Sequence, residues 1–174
     1  KVLKAGFQDL IQDMGRFGNT HMGISPSGAA DNISLRIGNL LLDNDINDPG
    51  IEITLFGGSY YFNKDAIIVL SGSDFSSTID GKIISFYKPL SVKKGQTLSI
   101  SQTTDGARCY LCIKGGFQVP STLNSSSTHV LSKIGGFDGR SLKKKDEILF
   151  SNSNNQNFNK NKNFHIDNDR SVLR

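Results

Sequence analysis

No run of about 18 apolar residues occurs anywhere in the 174-residue chain, so no membrane-spanning helix is expected. No charged-then-apolar signal peptide opens it. The first residue is Lys rather than Met, so the true start is expected upstream. Charge of one sign is also scarce. The formal net charge is +4, and the basic residues are scattered apart from Lys143–Lys145 and the pair Lys160 and Lys162. A nucleic-acid surface would want a basic stripe with interleaved aromatics, so no nucleic-acid partner is expected. There are only two cysteines, Cys109 and Cys112, and no second pair to complete a zinc site. Their surroundings read as a strand, where residues three apart point to opposite faces. Two thiols that cannot meet are expected, which suits a reducing compartment. The three histidines, His21, His129 and His165, show no metal or triad spacing, and no metal site is expected. No P-loop, G-x-S-x-G elbow or H-E-x-x-H motif is present.

What is abundant is glycine. Eighteen glycines and eleven phenylalanines, with apolar residues at 36%, suggest a turn-rich β protein. Short strands are predicted at Ile51–Leu55, Ser59–Phe62, Ala66–Leu70, Ser77–Ile79, Lys82–Phe86, Thr97–Ser101, Arg108–Ile113 and Glu147–Phe150. Gly57-Gly58 and Asp80-Gly81 read as hairpin turns. Strands so spaced, with turns between them, argue for an all-β barrel or sandwich. One helix interrupts them. From Asp31 to Asp43, Ile33, Ile37, Leu40 and Leu41 recur at the helical period, with Asp31 as N-cap and Asn44 as the C′ residue. One domain is predicted over 1–150. Residues 152–163 hold seven asparagines in twelve positions, so 151–163 reads as a linker. Residues 164–174 regain apolar character, as if a second domain were starting.

The loop Gln12–Asp31 concentrates the candidate chemistry. Gly15, Gly18, Gly23 and Gly28 alternate with Asp13, Arg16, His21, Ser25, Ser27 and Asp31, and few large apolar residues intervene. Such a loop is expected at a site rather than in a core, because glycine lets the backbone approach a ligand closely. It feeds a helix N-terminus, whose N–H groups favour an anion or a polarised carbonyl; alternatively Asp31 only caps the helix. Arg108, opening a strand after Gly106, is either an anion binder or half of a surface ion pair. Ser125–Thr128 is either a donor loop or a solvated one. Arg140, beside Gly135, Gly136 and Gly139, suits a carboxylate or phosphate. Together these glycine turns suit a pocket at the end of a barrel.

The order of these residues resembles a known family. Gln12-Asp13-x-Gly15-Arg16-x-Gly18, Gly23, Gly28-Ala29-x-Asp31, Asn39, Asn44 and Glu52 open the match. It continues through Leu70-Ser-Gly72, Asp80-Gly81, Gly95, Gly106-x-Arg108-x-Tyr110-Leu111, Gly115-Gly116, Ser125-x-Ser127-Thr128, Gly135-Gly136, Gly139-Arg140-x-Leu142 and Asp146. The run resembles allophanate hydrolase subunit 2, a family that includes KipA and the C subunit of bacterial 5-oxoprolinase and is often labelled biotin-dependent carboxyltransferase. The resemblance implies a cyclophilin-like β-barrel and a cytoplasmic protein working with a KipI-like subunit. In the 5-oxoprolinase version a third, LamB/YcsF-type subunit joins them, and ATP drives cleavage of 5-oxoproline to glutamate. In the urea carboxylase version a carboxyl group moves from biotin to urea. A KipA-type regulatory binder without chemistry is the third expectation. On this basis Ser25, Ser27 and Asp31 are the catalytic candidates, with the Gly28 backbone helping to polarise a small amide substrate. Arg108 and Arg140 are expected to bind anions, with Ser127 and Thr128 as supporting donors. Two positions depart from the family pattern: Asn124 stands where glycine is usual, and Gly38 where alanine is usual.

Overall fold

The computed structural model describes residues 1–151, 158, 159 and 161–165. The expected linker is thus described only in part. Of the expected second-domain start, all but Phe164 and His165 lie outside the described residues. The strands are β1 (Val2–Lys4), β2 (Gln8–Gln12), β3 (Gly50–Thr54), β4 (Ser59–Tyr61), β5 (Ala66–Gly72) and β6 (Phe75–Ile79). They continue with β7 (Lys82–Ile83), β8 (Leu90–Val92), β9 (Thr97–Thr103), β10 (Arg108–Ile113), β11 (Phe117–Gln118) and β12 (Leu149–Phe150). The one α-helix is α1 (Asn32–Leu41).

Two five-stranded antiparallel sheets form, ordered β1-β4-β9-β6-β7 and β2-β3-β10-β5-β8. Side-chain alternation sorts the second sheet into two faces. Ile11, Ile51, Ile53, Ile68, Leu70, Cys109, Leu111 and Ile113 point inward, against Tyr60, Phe75, Ile79, Leu98 and Ile100 of the first sheet. Ile67, Val69, Tyr110 and Cys112 point outward, beneath Leu35, Leu41 and Leu42 of the helical segment. The two thiols therefore lie on opposite faces as expected, both free and buried. Burial pushes both thiols well above their usual range, so neither is a thiolate at neutral pH. The sheets join at corners. Phe56 bridges to Gln102 at one, and the chain passes from β5 straight into β6 at another, where Ser73 N–H donates to Arg108 O at 2.8 Å. The expected all-β barrel is the fold.

Several local expectations change. Asp80-Gly81 closes the β6–β7 hairpin with both residues at positive φ, 48° and 80°, as a two-residue turn of this twist needs. Its second strand ends at Ile83 rather than Phe86. Gly57-Gly58 is not a hairpin turn: β3 and β4 belong to different sheets, and the glycines lie where the chain crosses between them. A Cβ on Gly57 would meet the Ile100 side chain at 2.7 Å, so the residue serves a close approach. The helix is capped by Asp31, whose Oδ1 accepts the Ser34 N–H at 3.0 Å. At its other end Leu42 is the cap and Asp43 takes the left-handed C′ conformation at φ 52°, the role expected of Asn44. Asn44 instead ties the helix to the sheet, donating to Ile113 O at 2.7 Å and accepting from Gly115 N–H at 2.9 Å. The apolar face is also rotated: Leu35 and Leu41 are buried, while Ile33 and Leu40 are 66% and 57% exposed.

A buried polar clamp and a polar cavity

The loop after β2 does not simply coat the surface. Arg16 is only 1% exposed. Its guanidinium donates to Ser127 O, to Ser27 Oγ at 3.1 Å and to Thr122 O at 3.5 Å. Asp13, also buried, gathers four donors: Ser127 Oγ at 2.5 Å, Ser125 Oγ at 2.7 Å, Gly15 N–H at 2.7 Å and Ser126 N–H at 2.5 Å. A buried charge persists only when hydrogen-bonded in this way. The loop and the 122–128 segment are thus stapled to each other by one acidic and one basic side chain. Thr128 completes the staple, its Oγ1 donating to Ile11 O at 2.9 Å. Asn124 sits at φ 61°, which explains why asparagine can stand in for glycine there.

A second network joins the end of the loop to the sheet. On the outward face, β3 and β10 place Glu52 directly opposite Tyr110. Glu52 Oε2 accepts the Ala30 N–H and the Tyr110 hydroxyl, both at 2.8 Å, and Oε1 accepts Arg108 Nε at 3.2 Å. The Tyr110 oxygen in turn accepts the Asp31 N–H at 2.7 Å. Burial, and then the neighbouring carboxylate, push the Tyr110 hydroxyl far above its usual value, so it stays a proton donor at physiological pH. The anion that the helix N-terminus was expected to attract is therefore, in part, the protein's own Glu52. Ala29 N–H is also taken, by Asp13 O at 2.9 Å, so this segment bridges the two networks.

Beside the capped helix end lies a polar cavity of about 650 Å³. Asp31 lines it from the N-cap of α1 and Ser34 from its first turn, Ser73 and Asp74 from the β5–β6 corner, Asp105 from the β9–β10 turn, and Tyr87 from the segment before β8. Ser34 Oγ donates to Asp31 Oδ2 at 2.5 Å, and Tyr87 oxygen accepts the Gly72 N–H at 2.7 Å. Among the described residues lining it there is no lysine or arginine. Its carboxylates and hydroxyls suit a ligand rich in N–H donors and match a triphosphate poorly.

The structure distributes the candidate residues unevenly. Asp31 lines the cavity. Arg108 is close by in sequence, two residues from Gly106 on the cavity wall, and its guanidinium is partly exposed. Only its Nε is bonded among the described residues, which leaves both Nη atoms without a partner there. Ser25 Oγ accepts the Ser27 N–H at 3.3 Å, and Ser27, at φ 54°, presents its hydroxyl to Arg16. Gly28, at φ 97°, lies against the Met14 carbonyl, which a Cβ would meet at 2.9 Å. Ser127 and Thr128 are buried with their hydroxyls committed to Asp13 and Ile11. Arg140 stands apart, in a two-pronged pair with Asp146 at 2.7 and 3.1 Å. Partial burial pushes the Asp146 carboxyl up, but hydrogen bonds from Arg140 and the Lys143 N–H outweigh it and hold its pKa below the usual value. Glu52, Tyr110, Ser34 and Tyr87 were not among the candidates. Pairing across strands from distant parts of the chain brings Glu52 and Tyr110 together, and no local pattern announces it.

Comparison with known proteins agrees with this architecture. The family described as carboxyltransferase domain, subdomain A and B, matches residues 22–173. Urea amidolyase of Saccharomyces cerevisiae is 44% identical over 158 residues, covering 90% of this chain and 9% of that protein. The C subunit of 5-oxoprolinase from Haemophilus influenzae is 40% identical over 151 residues, 87% of this chain and 49% of that protein. The crystal structure of K. lactis urea amidolyase superposes with a TM-score of 0.85 at 37% identity, covering 90% of this chain and 9% of that one. The chain thus spans about half the length of the 5-oxoprolinase relative and a small part of the amidolyases. Sequence, barrel and helix placement agree, and the chain belongs to the carboxyltransferase domain family.

Proposed function

We propose that this chain is the N-terminal half of a subunit of an ATP-dependent 5-oxoprolinase-type amidohydrolase, acting in the cytoplasm with KipI-like and LamB/YcsF-like partners. The reading rests on the likeness to the C subunit of 5-oxoprolinase over half its length, together with one local observation. The Arg108 guanidinium, partly exposed and held at Nε by Glu52, has two Nη atoms without a partner among the described residues, on the strand whose preceding turn lines a cavity of hydrogen-bond acceptors. A cyclic amide that carries a carboxylate presents the complementary groups: an N–H for Asp31 or Asp74, and an anion for the guanidinium. Tyr110 and Glu52 position the backbone of Ala30 and Asp31, and so fix the direction of the Asp31 carboxylate. Ser25, Ser27 and the Gly28 backbone would polarise the amide carbonyl from the adjoining loop. Ser127 and Thr128 would hold that loop system in shape, while Arg140 braces its own turn through Asp146. The phosphate chemistry belongs elsewhere in the assembly, since the cavity lining does not fit a triphosphate.

A second reading, a carboxyltransferase acting on urea with biotin as carrier, draws support from the 44% identity to the yeast amidolyase and from the uncharged character of urea, which suits an acidic cavity. One experiment separates the two. The chain is co-expressed with the other half of the subunit and both partners, and ATP-dependent glutamate release from 5-oxoproline is measured beside transfer of a carboxyl group to urea from added carboxybiotin. Arg108→Ala should cost about 10- to 100-fold in kcat/KM on 5-oxoproline, the worth of a charge-assisted contact. No glutamate release, or full activity in the variant, overturns the first reading; urea-dependent turnover in its place establishes the second.

A further inference from the structure

The segment after the barrel does not behave as a spacer where it is described. Phe158 packs against the helix-side apolar cluster, with the Lys114 and Lys162 ammonium groups 5.2 and 5.9 Å from its ring centre. Lys162 forms an ion pair with Asp43, the left-handed residue that ends α1. Further on, Phe164 N–H donates to Tyr87 O at 3.1 Å, and the Phe164 and Tyr87 rings lie 6.0 Å apart. The segment therefore starts at the C-terminal end of α1 and finishes at its N-terminal end, where Phe164 and His165 line the polar cavity.

We infer that residues 158, 159 and 161–165 belong to a strap that supplies one wall of the polar cavity, Phe164 and His165, and sets access to it. The inference rests on the reading of that cavity as the ligand site. Among the described residues the anchors are few: one half-buried ring with two lysine ammonium groups near it, one partly exposed ion pair, one backbone hydrogen bond and one contact between rings. Attachments of that kind open locally at far lower cost than the barrel unfolds. The strap holds in the resting state and swings away without disturbing the sheets.

Thiol labelling of the full chain carrying Ser73→Cys reads access directly, because the natural Cys109 and Cys112 are buried. Adding Phe158→Ala and Lys162→Glu should speed labelling by a bulky maleimide about tenfold. Amide hydrogen exchange in the chain without Ser73→Cys is the second readout: Phe164 N–H should exchange at least about tenfold slower than an unstructured amide, and lose that protection in the Phe158→Ala, Lys162→Glu variant. Labelling rates that agree within about twofold, or a Phe164 amide without protection, overturn the strap. Adding 5-oxoproline or urea tests the ligand reading separately. If the strap behaves as expected and neither compound slows labelling, the strap stands and the assignment of the cavity to those ligands falls.

Discussion

Asp13→Asn is the sharpest test of the buried clamp. The substitution keeps shape and removes charge. In its better orientation the new amide oxygen still accepts from Ser127 Oγ, Ser125 Oγ and Gly15 N–H, while its NH2 group lands where Oδ2 accepted the Ser126 N–H at 2.5 Å. Two costs follow. Three charge-assisted bonds become neutral ones, at roughly 0.5–1 kcal/mol each. A buried N–H then faces another donor, which costs about 1–3 kcal/mol. The sum is about 2.5–6 kcal/mol. At about 2–4 °C per kcal/mol for a chain of this size, the melting temperature should fall by roughly 5–24 °C. Thermal unfolding followed by far-UV circular dichroism measures it. Ser127→Ala, alone and combined with Asp13→Asn, completes a cycle whose coupling should be about 1–3 kcal/mol, since the two side chains touch. A loss below about 1 kcal/mol for Asp13→Asn, or additivity within about 0.5 kcal/mol, would refute the clamp.

Two more outcomes follow from packing and burial. Gly38→Ala should destabilise by about 1–2 kcal/mol. The gain in helix propensity, about 1 kcal/mol, is outweighed by a Cβ placed 2.7 Å from Cys112 Sγ and 2.8 Å from Ser71 Oγ. Denaturant midpoints decide it, and a stabilised variant would show that the sheet yields. Asp9 is buried beneath Tyr60 and Gly6, with Oδ1 unpartnered, and burial raises its pKa above the ordinary 3.8 despite hydrogen bonds from the Gly6 N–H and the Tyr60 hydroxyl. The folded state then holds a proton that the unfolded state has released, so stability falls as pH rises from about 4 to the raised value, and stays lower above it. Asp9→Asn should flatten that part of the melting temperature–pH curve; an unchanged slope would place the titration elsewhere.

Much of the barrel could be read from the sequence because its signals are local. Asp80-Gly81 closes a hairpin, since two residues at positive φ match the twist of the flanking strands. Alternation alone separates Cys109 from Cys112, and the side chain of Asp31 reaches the N–H three residues on. The misreadings share one cause, competition from distant parts of the chain. Gly57-Gly58 carries a hairpin signal, yet β4 finds better partners in β1 and β9. Ile33 and Leu40 keep the helical period with Ile37 and Leu41, yet the sheet beneath accepts Leu35 alongside Leu41 and leaves Ile33 and Leu40 exposed. Arg16 looks like a loop cation until the 122–128 segment closes over it.

The same division runs through the candidate site. By itself the sequence determined an all-β chain with one capped helix, a glycine-rich loop leading into it and membership of one family, because turn chemistry, periodicity and the order of motifs are written along the chain. Only the tertiary structure decided which polar groups remain for a ligand. Asp13 and Arg16 are satisfied by Ser127, and Thr128 by Ile11 O, across more than a hundred residues, whereas Asp31 lines an open cavity and the Arg108 Nη atoms have no partner among the described residues. The reason is the cost of burying a polar group. Each hydroxyl or charge that the fold encloses must find a partner inside, and which ones are enclosed depends on strand pairings that no single segment encodes.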